Sequence, residues 1–354
     1  MTTIRDAVPE DGPQLIALFR QAPMRAGTEF VLDRGPDFQA LLRLRGRFRT
    51  FVATRGDRIL GSVTALWHER RDLGGTVRVC ELVDLRVAPD ARGGATAARL
   101  LGRAARALEE TPADWVLCLI GDRNRDAARL VTGGLGFPAL KALARYASVH
   151  YPVWRAGTAG ARGMTVVRAT DRDGALLATL VRVTASGRRF SPPELFPWPD
   201  PAGAHYGWIA QDGSCALGGL VVWDGNAVRR IRVMRYSGGD RLFRGATLVA
   251  GLFGAATPLP PPGEPLRLWA SRWLGVREAN PRVTGALVRA ALRAAAGAGQ
   301  HVLQVNLEEH DPLLGALPSL PRSVYWSTLY GLATGRRAGE DAPGVLCHAD
   351  LALV

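Results

Sequence analysis

Apolar positions along this chain change their period repeatedly, and each change marks an element. Arg49–Arg55, Ile59–Trp67, Thr76–Val87, Trp115–Ile120 and Ala142–Tyr151 are short runs rich in Val, Ile, Leu and aromatic residues, and they read as strands. Between the third and fourth, Ala97, Leu100, Leu101, Ala104, Ala105 and Leu108 recur at helical spacing, with Arg99, Arg103 and Arg106 on the other side. A second series follows: His205–Ala210, Ala216–Trp223, Val228–Tyr236, Leu266–Val276, His301–Leu307, Tyr325–Tyr330 and Val345–Val354 as strands. A helix is expected over Pro281–Ala296, with Val283, Ala286, Leu287, Ala290 and Ala294 inward. Leu242–Ala256 reads as helical and Thr257–Pro265 as proline-rich; neither has a counterpart in the first series. Strands interleaved with helices, an antiparallel start and one helical crossover predict a mixed α/β sheet of α+β character.

The two series open alike. Thr3–Gly12 and Thr165–Gly174 each give a strand, an acidic turn able to cap a helix, and a helical pattern. Aligned without gaps, Thr3 meets Thr165, Asp11 meets Asp173, Gly12 meets Gly174, Leu15 meets Leu177 and Arg20 meets Arg182. The Gly- and Ala-rich stretch 155–163 between them has linker composition. The expected division is therefore 1–154, a linker 155–163, and 164–354.

Length and composition fit this picture. The chain has 354 residues, 47% hydrophobic and 22% charged, as globular proteins do, and suits two domains of ordinary size. No apolar run is long enough for a membrane helix, so no membrane partner is expected. The opening residues run straight into patterned sequence, so no signal peptide is expected either, and a cytoplasmic location follows. Cys80, Cys118, Cys215 and Cys347 are scattered, with no Cys/His cluster; neither a disulfide framework nor a metal site is expected. The net charge of +13 could serve an anionic partner or a phosphate-bearing cofactor. Its arginines are dispersed and Lys141 is the one lysine, so nucleic acid is not the expected partner.

The richest chemistry lies in Val83–Leu108. An apolar strand leads through Pro89 into Arg92-Gly93-Gly94-Ala95-Thr96-Ala97 and then the amphipathic helix. Small residues let a backbone approach a ligand, and a helix N-terminus presents unpaired N–H groups to an anion. The segment is either a phosphate cradle or a tight turn.

Three segments together resemble the GNAT superfamily of CoA-dependent N-acyltransferases: the opening Ile4–Asp11, the strand-to-helix segment Asp84–Ala97, and Asn124–Leu130 followed by Leu135-Gly136-Phe137. Ala95 stands where glycine is commoner in that signature. The likeness covers residues 3–150 well and 165–354 in outline. It implies two tandem acyl-CoA N-acyltransferase-fold domains, the second degenerate, and an enzyme that moves an acetyl or short acyl group from acetyl-CoA to a small-molecule amine by direct attack. Alternatives are a non-catalytic acyl-CoA sensor and an acyltransferase acting on protein or nucleic acid. The oligomeric state is not legible.

The resemblance also assigns candidates. Main chain at Leu85, Arg86 and Val87 would hold the pantetheine arm, and Arg92, Gly93, Gly94, Ala95, Thr96 and Ala97 the pyrophosphate. Asn124 with Ala127 would meet the arm, or Asn124 simply caps a helix. Glu81 and Asp84 are candidate bases. On a regular strand they face opposite sides, unless a bulge intervenes. The general acid is expected just after Leu130, where this chain has Val131. Tyr146 or Tyr151 from the next strand, or water, would replace it. In the second series Arg282–Leu287 lines up with the cradle, Leu287 obstructs it, and His310-Asp311-Pro312 stands in the place of Asn124. The loops Gln21–Asp37 and Ser191–Pro201, the latter with Phe196 and Trp198 and preceded by Phe190, are expected to line an acceptor pocket.

Overall fold

The computed structural model describes residues 2–26, 28–73, 75–133, 136–154, 164–185, 188–191, 204–340 and 346–348. The expected linker 155–163, Leu135, Phe196, Trp198 and most of the expected strand 345–354 lie outside them.

The first half runs β1 (Thr3–Asp6), α1 (Gly12–Gln21), β2 (Met24–Ala26), β3 (Thr28–Asp33), α2 (Ala40–Arg45), β4 (Arg47–Arg55), β5 (Arg58–Asp72), β6 (Gly75–Val87), α3 (Thr96–Glu110), β7 (Trp115–Gly121), α4 (Arg125–Thr132) and β8 (Lys141–Pro152). The second half runs β9 (Thr165–Arg168), α5 (Gly174–Ala185), β10 (His205–Asp212), β11 (Cys215–Trp223), β12 (Arg230–Arg235), α6 (Gly239–Leu252), β13 (Pro265–Leu266), β14 (Leu268–Val276), α7 (Pro281–Gly297), β15 (Val302–Glu308), α8 (Pro312–Ala316) and β16 (Ser323–Ala333). The two openings match in detail. Asp11 accepts from the Val8 amide at 2.8 Å, and Asp173 accepts from the Thr170 amide at 2.6 Å. Each closes the turn that starts its helix.

Twelve strands form one mixed sheet in the order β1-β4-β5-β6-β7-β16-β8-β15-β14-β11-β10-β9. The middle of this order crosses the halves. β16, from the end of the chain, lies between β7 and β8, and β8 pairs in turn with β15. Each half thus lends its last described strand to the other. The burial pattern explains why. On β8, Ala147, Val149 and Tyr151 point into a core built by α7 through Leu287, Ala291 and Ala295. On β16, Tyr330 and Leu332 pack into the core that α3 builds with Leu100, Leu101 and Ala104 against Phe51, Val63, Ala65 and Leu82. α1 covers the other face of the first half with Leu15, Leu18 and Phe19 against Val52 and Ile59.

A second sheet, β13-β12-β3-β2, also joins the halves. It differs from the expected loop over Gln21–Asp37, since Thr28–Asp33 pairs antiparallel with β12. Buried Asp33 fixes this seam by accepting from Arg20 at 2.8 Å and from Arg232 at 3.1 Å. Its apolar run is too short to announce a strand without that partner.

Because each core contains the other half's strand, the halves are expected to unfold together. Removing β16 should abolish a single cooperative urea transition, and Leu329→Ala should cost about 2–5 kcal/mol. Two well-separated transitions in the intact chain, followed by tryptophan fluorescence, would contradict this.

Candidate functional site

β6 and β7 are parallel neighbours only over Val79–Glu81 against Trp115–Leu117. Beyond that point they part. The cause lies on the other edge of β6, where its register with β5 shifts between Ser62 and Thr64. β6 carries one extra residue there, and Asp84 adopts a φ of 61°. Such a bulge bends a strand and increases its twist. Past it, Arg86 pairs with Ser62 and Val87 with Gly61, so the main chain of Leu85–Val87 is held on one side and open toward the gap on the other. Gly61 allows this approach: a Cβ there would stand 2.8 Å from the Arg86 carbonyl oxygen. The side chain of Arg86 turns away, its guanidinium 5.1 Å from the Phe19 ring and 2.9 Å from Met24 Sδ.

β6 leads through a turn at Pro89–Ala91 to Arg92–Ala95, and α3 begins at Thr96. Arg92, Gly93, Gly94 and Ala95 are exposed, and a Cβ on Gly93 would meet nothing within 4 Å. No side chain caps the helix; Ala95 occupies the N-cap position. The first-turn amides at Thr96 and Ala97 therefore face outward with the positive end of the helix dipole. Arg92 is tied to the strand end by its Nε donating to the Val87 carbonyl at 3.2 Å. Gly136 lets the loop after α4 lie on α3, since a Cβ there would stand 2.3 Å from the Ala98 carbonyl oxygen.

The second half repeats the parting. β14 and β15 pair over Leu268–Ala270 against Val302–Gln304 and then separate. Its helix start differs. Asn280 Oδ1 accepts from the amides of Arg282 and Val283 at 2.9 and 3.4 Å, so α7 caps itself. The expected alignment of Arg282–Leu287 with the cradle does not hold. Those residues lie inside α7, and Leu287 is fully buried. The counterpart of the cradle is Arg277–Asn280, where Glu278 and Ala279 take φ of 55° and 48°. The expected helix start at Pro281 holds, so the counterpart of the cradle has to lie before it.

Asn124 is the N-cap of α4, accepting from the Ala127 amide at 3.3 Å, while Ala127 packs on the α3 core. Asp311 does the same for α8, accepting from Leu313 at 2.9 Å; it, rather than His310, matches Asn124. His310 is exposed and lies 3.3 Å from Glu308.

The two candidate carboxylates sit in different surroundings. Glu81, on the last paired row, is met by His68 Nε2 at 2.9 Å, by Arg45, and by Arg70 at 3.8 Å. Burial disfavours its charge, but the His68, Arg45 and Arg70 charges outweigh burial and hold its pKa far below the ordinary glutamate value. Asp84, on the bulge, is half-buried with its side chain 6% exposed, and accepts from Arg34 at 2.7 Å. Burial lowers the pKa of Arg34 and the Asp84 charge opposes the shift.

The tyrosines fall otherwise than expected. β8 is not the strand next to β7, because β16 intervenes. Tyr146 is buried among Val77, Val79, Trp115, Leu329 and Phe190, its hydroxyl without a partner among the described residues, and burial raises its pKa well above the ordinary value. Tyr151 is buried under α7, donating to the Pro318 carbonyl at 3.2 Å. Tyr330, on β16, stands one strand from the gap. It stands directly opposite Cys118, the first β7 residue past the parting, and shares a cluster with Ala127, Leu130 and buried Val131. Nothing in local sequence links Tyr330 to Val131; only the strand exchange does.

A surface cavity of about 310 Å³ lined by Arg47, Trp67, His68, Glu69, Arg78 and Thr111 lies beside Thr111, at the opposite end of α3 from the cradle.

No protein-family model and no curated protein sequence matches the chain. Solved structures do. A GCN5-related N-acetyltransferase from Anabaena variabilis superposes with a TM-score of 0.52 at 11% identity, covering 94% of this chain and 73% of that one. A GCN5-related N-acetyltransferase from Kribbella flavida gives 0.51 at 13% identity, covering 94% and 72%. Saccharomyces cerevisiae N-myristoyltransferase, solved with bound myristoyl-CoA, gives 0.59 at 10% identity, covering 96% and 83%. The chain has the GNAT fold, as the sequence motifs implied.

The ion pairs of Glu81 have a pH signature. Its folded pKa is depressed, so its stabilisation is present above the unfolded value of about 4.3 and is lost as pH falls below it. Urea midpoints of the native protein should drop on acidification below about pH 4, and Glu81→Gln should flatten that drop. Equal slopes in both proteins would remove Glu81 from the account.

Proposed function

We propose that this protein is a CoA-dependent acyltransferase whose first half, residues 1–154, binds acetyl-CoA and passes the acetyl group to an amine, with residues 164–354 as a degenerate second domain. The carrying observation is the open parting of β6 and β7 beside an uncapped helix start. A diphosphate fits the outward amides of Arg92–Ala97, and the open edge of Leu85–Val87 offers the pantetheine arm the hydrogen bonds of an added strand. Asn124, already spent as a cap on Ala127, has its amide nitrogen left for the arm. The capped start of α7 favours the first half as the occupied one.

The neighbours in the structure search are named as N-acetyltransferases and an N-myristoyltransferase, which supports acyl transfer as the reaction class. We place a small-molecule amine on the Glu81 side of the gap. The amine nitrogen attacks the thioester carbonyl and the C–S bond breaks. Glu81, held ionised by His68, Arg45 and Arg70, accepts a hydrogen bond from the amine, and the amine proton leaves to water. The departing thiolate takes a proton from Tyr330, the role left open by Val131. Asp84 holds the bulge through Arg34 instead of meeting substrate.

Titration calorimetry with acetyl-CoA tests the site. The native protein should bind, and Ala95→Leu with Ala97→Leu should abolish binding by filling the cradle; unchanged affinity would place the site elsewhere. Tyr330→Phe should lower kcat by about 10²-fold or more with little change in the KM for acetyl-CoA. An unaltered kcat would return the role of acid to water.

A further inference from the structure

α6 is inverted relative to an ordinary surface helix. Its polar residues face inward and are satisfied. Asp240 accepts from Thr28 Oγ1 at 2.5 Å and from the hydroxyls of Ser323 and Tyr325. Thr247, fully buried, accepts from the Leu259 amide at 3.1 Å, and Arg244 Nε donates to the Pro260 carbonyl at 3.3 Å. These bonds fix the rotation of the helix about its axis. The face they leave outward carries Leu242 (77% exposed), Leu248 (40%), Val249 (60%), Leu252 (83%) and Phe253 (82%). Spacings of three, four and seven residues put these side chains on one stripe, with Gly245 and Ala246 between them and Arg241 as its one charge. Contiguous apolar surface of this kind marks an interaction site. The hydropathy of the sequence gave no hint of it, because the stripe is periodic and not a run.

The surrounding charge selects the partner. Near the stripe Arg229 is buried, Arg232 is paired with Asp33 and Arg244 is turned inward, which leaves exposed Arg235 and Arg241 and half-buried Arg230 beside it, within a protein of net charge +13. A second copy would bring like charges together, whereas an anionic bilayer would neutralise them. From these observations we infer that α6 seats the protein on an anionic lipid surface, lying in the headgroup plane with Leu242, Val249, Leu252 and Phe253 among the acyl chains. The inference is independent of the acyl-transfer reading, since α6 lies outside the parting of β6 and β7.

Co-sedimentation with vesicles tests it. The full chain should bind vesicles of phosphatidylcholine mixed with phosphatidylglycerol at low salt, bind phosphatidylcholine alone at least about tenfold more weakly, and be released by salt. Val249→Glu with Phe253→Glu, at exposed positions, should keep the native thermal midpoint and lose vesicle binding by about tenfold or more. Failure of the native protein to bind anionic vesicles, or equal binding by the double variant, overturns the inference. So does a concentration-dependent dimer in sedimentation velocity that the double variant dissolves, because the stripe would then belong to a second copy.

Discussion

The separation of two parallel strands in the middle of a sheet is the constraint on which the rest of this structure depends. Opening β6 from β7 beyond Glu81 and Leu117 gives up the interstrand hydrogen bonds of every residue past that row. An unpaired main chain in a protein interior is costly unless water or another partner reaches it. Each strand must therefore be secured on its other edge. For β6 that edge is β5, which follows it through the bulge to Val87. For β7 it is β16, whose Ser327–Ala333 pairs with Gly121–Trp115 along the full length of β7. A strand from the far end of the chain is thus a condition for the gap in the first half.

The exchange of last strands follows from the same requirement. β8 secures β15 as β16 secures β7, and the two lent strands pair with each other at the centre of the sheet. The consequence is chemical as well as mechanical. A half that borrows a strand borrows its side chains, and Tyr330 arrives opposite Cys118 by this route. Meanwhile Val131 fills its place on α4 as a core residue. Val131 on α4 and Tyr330 on β16 share one cluster, and the core beneath the gap stays filled.

Local signals carried much of this fold into the sequence. The strands at Arg49–Arg55, Ile59–Trp67 and Trp115–Ile120 and the helix at Pro281–Ala296 are legible because alternation or helical periodicity spans each element. The GNAT motifs located the strand-to-helix segment at Asp84–Ala97. What stayed hidden depends on partners distant in sequence. Thr28–Asp33 becomes a strand only against β12, and Tyr330 gains its position only through the exchange. The bulge at Asp84 has no sequence mark either. Aspartate tolerates positive φ better than most residues, yet nothing nearby says that it must adopt it.

The two partings place the difference between the halves in a few atoms. Both halves open their strands at the corresponding row, and both send the chain into a helix beside the opening. In the second half Asn280 turns its side-chain oxygen onto the first amides of α7, and the residues before it are held at positive φ. In the first half small residues occupy the same place, and no side chain competes for those amides. A helix N-terminus can serve its own cap or an external anion, but not both with the same N–H groups. One asparagine therefore suffices to close the first amides of α7. The choice between Ala95 and Asn280 at the helix start separates a helix whose first amides are left open from one that caps itself.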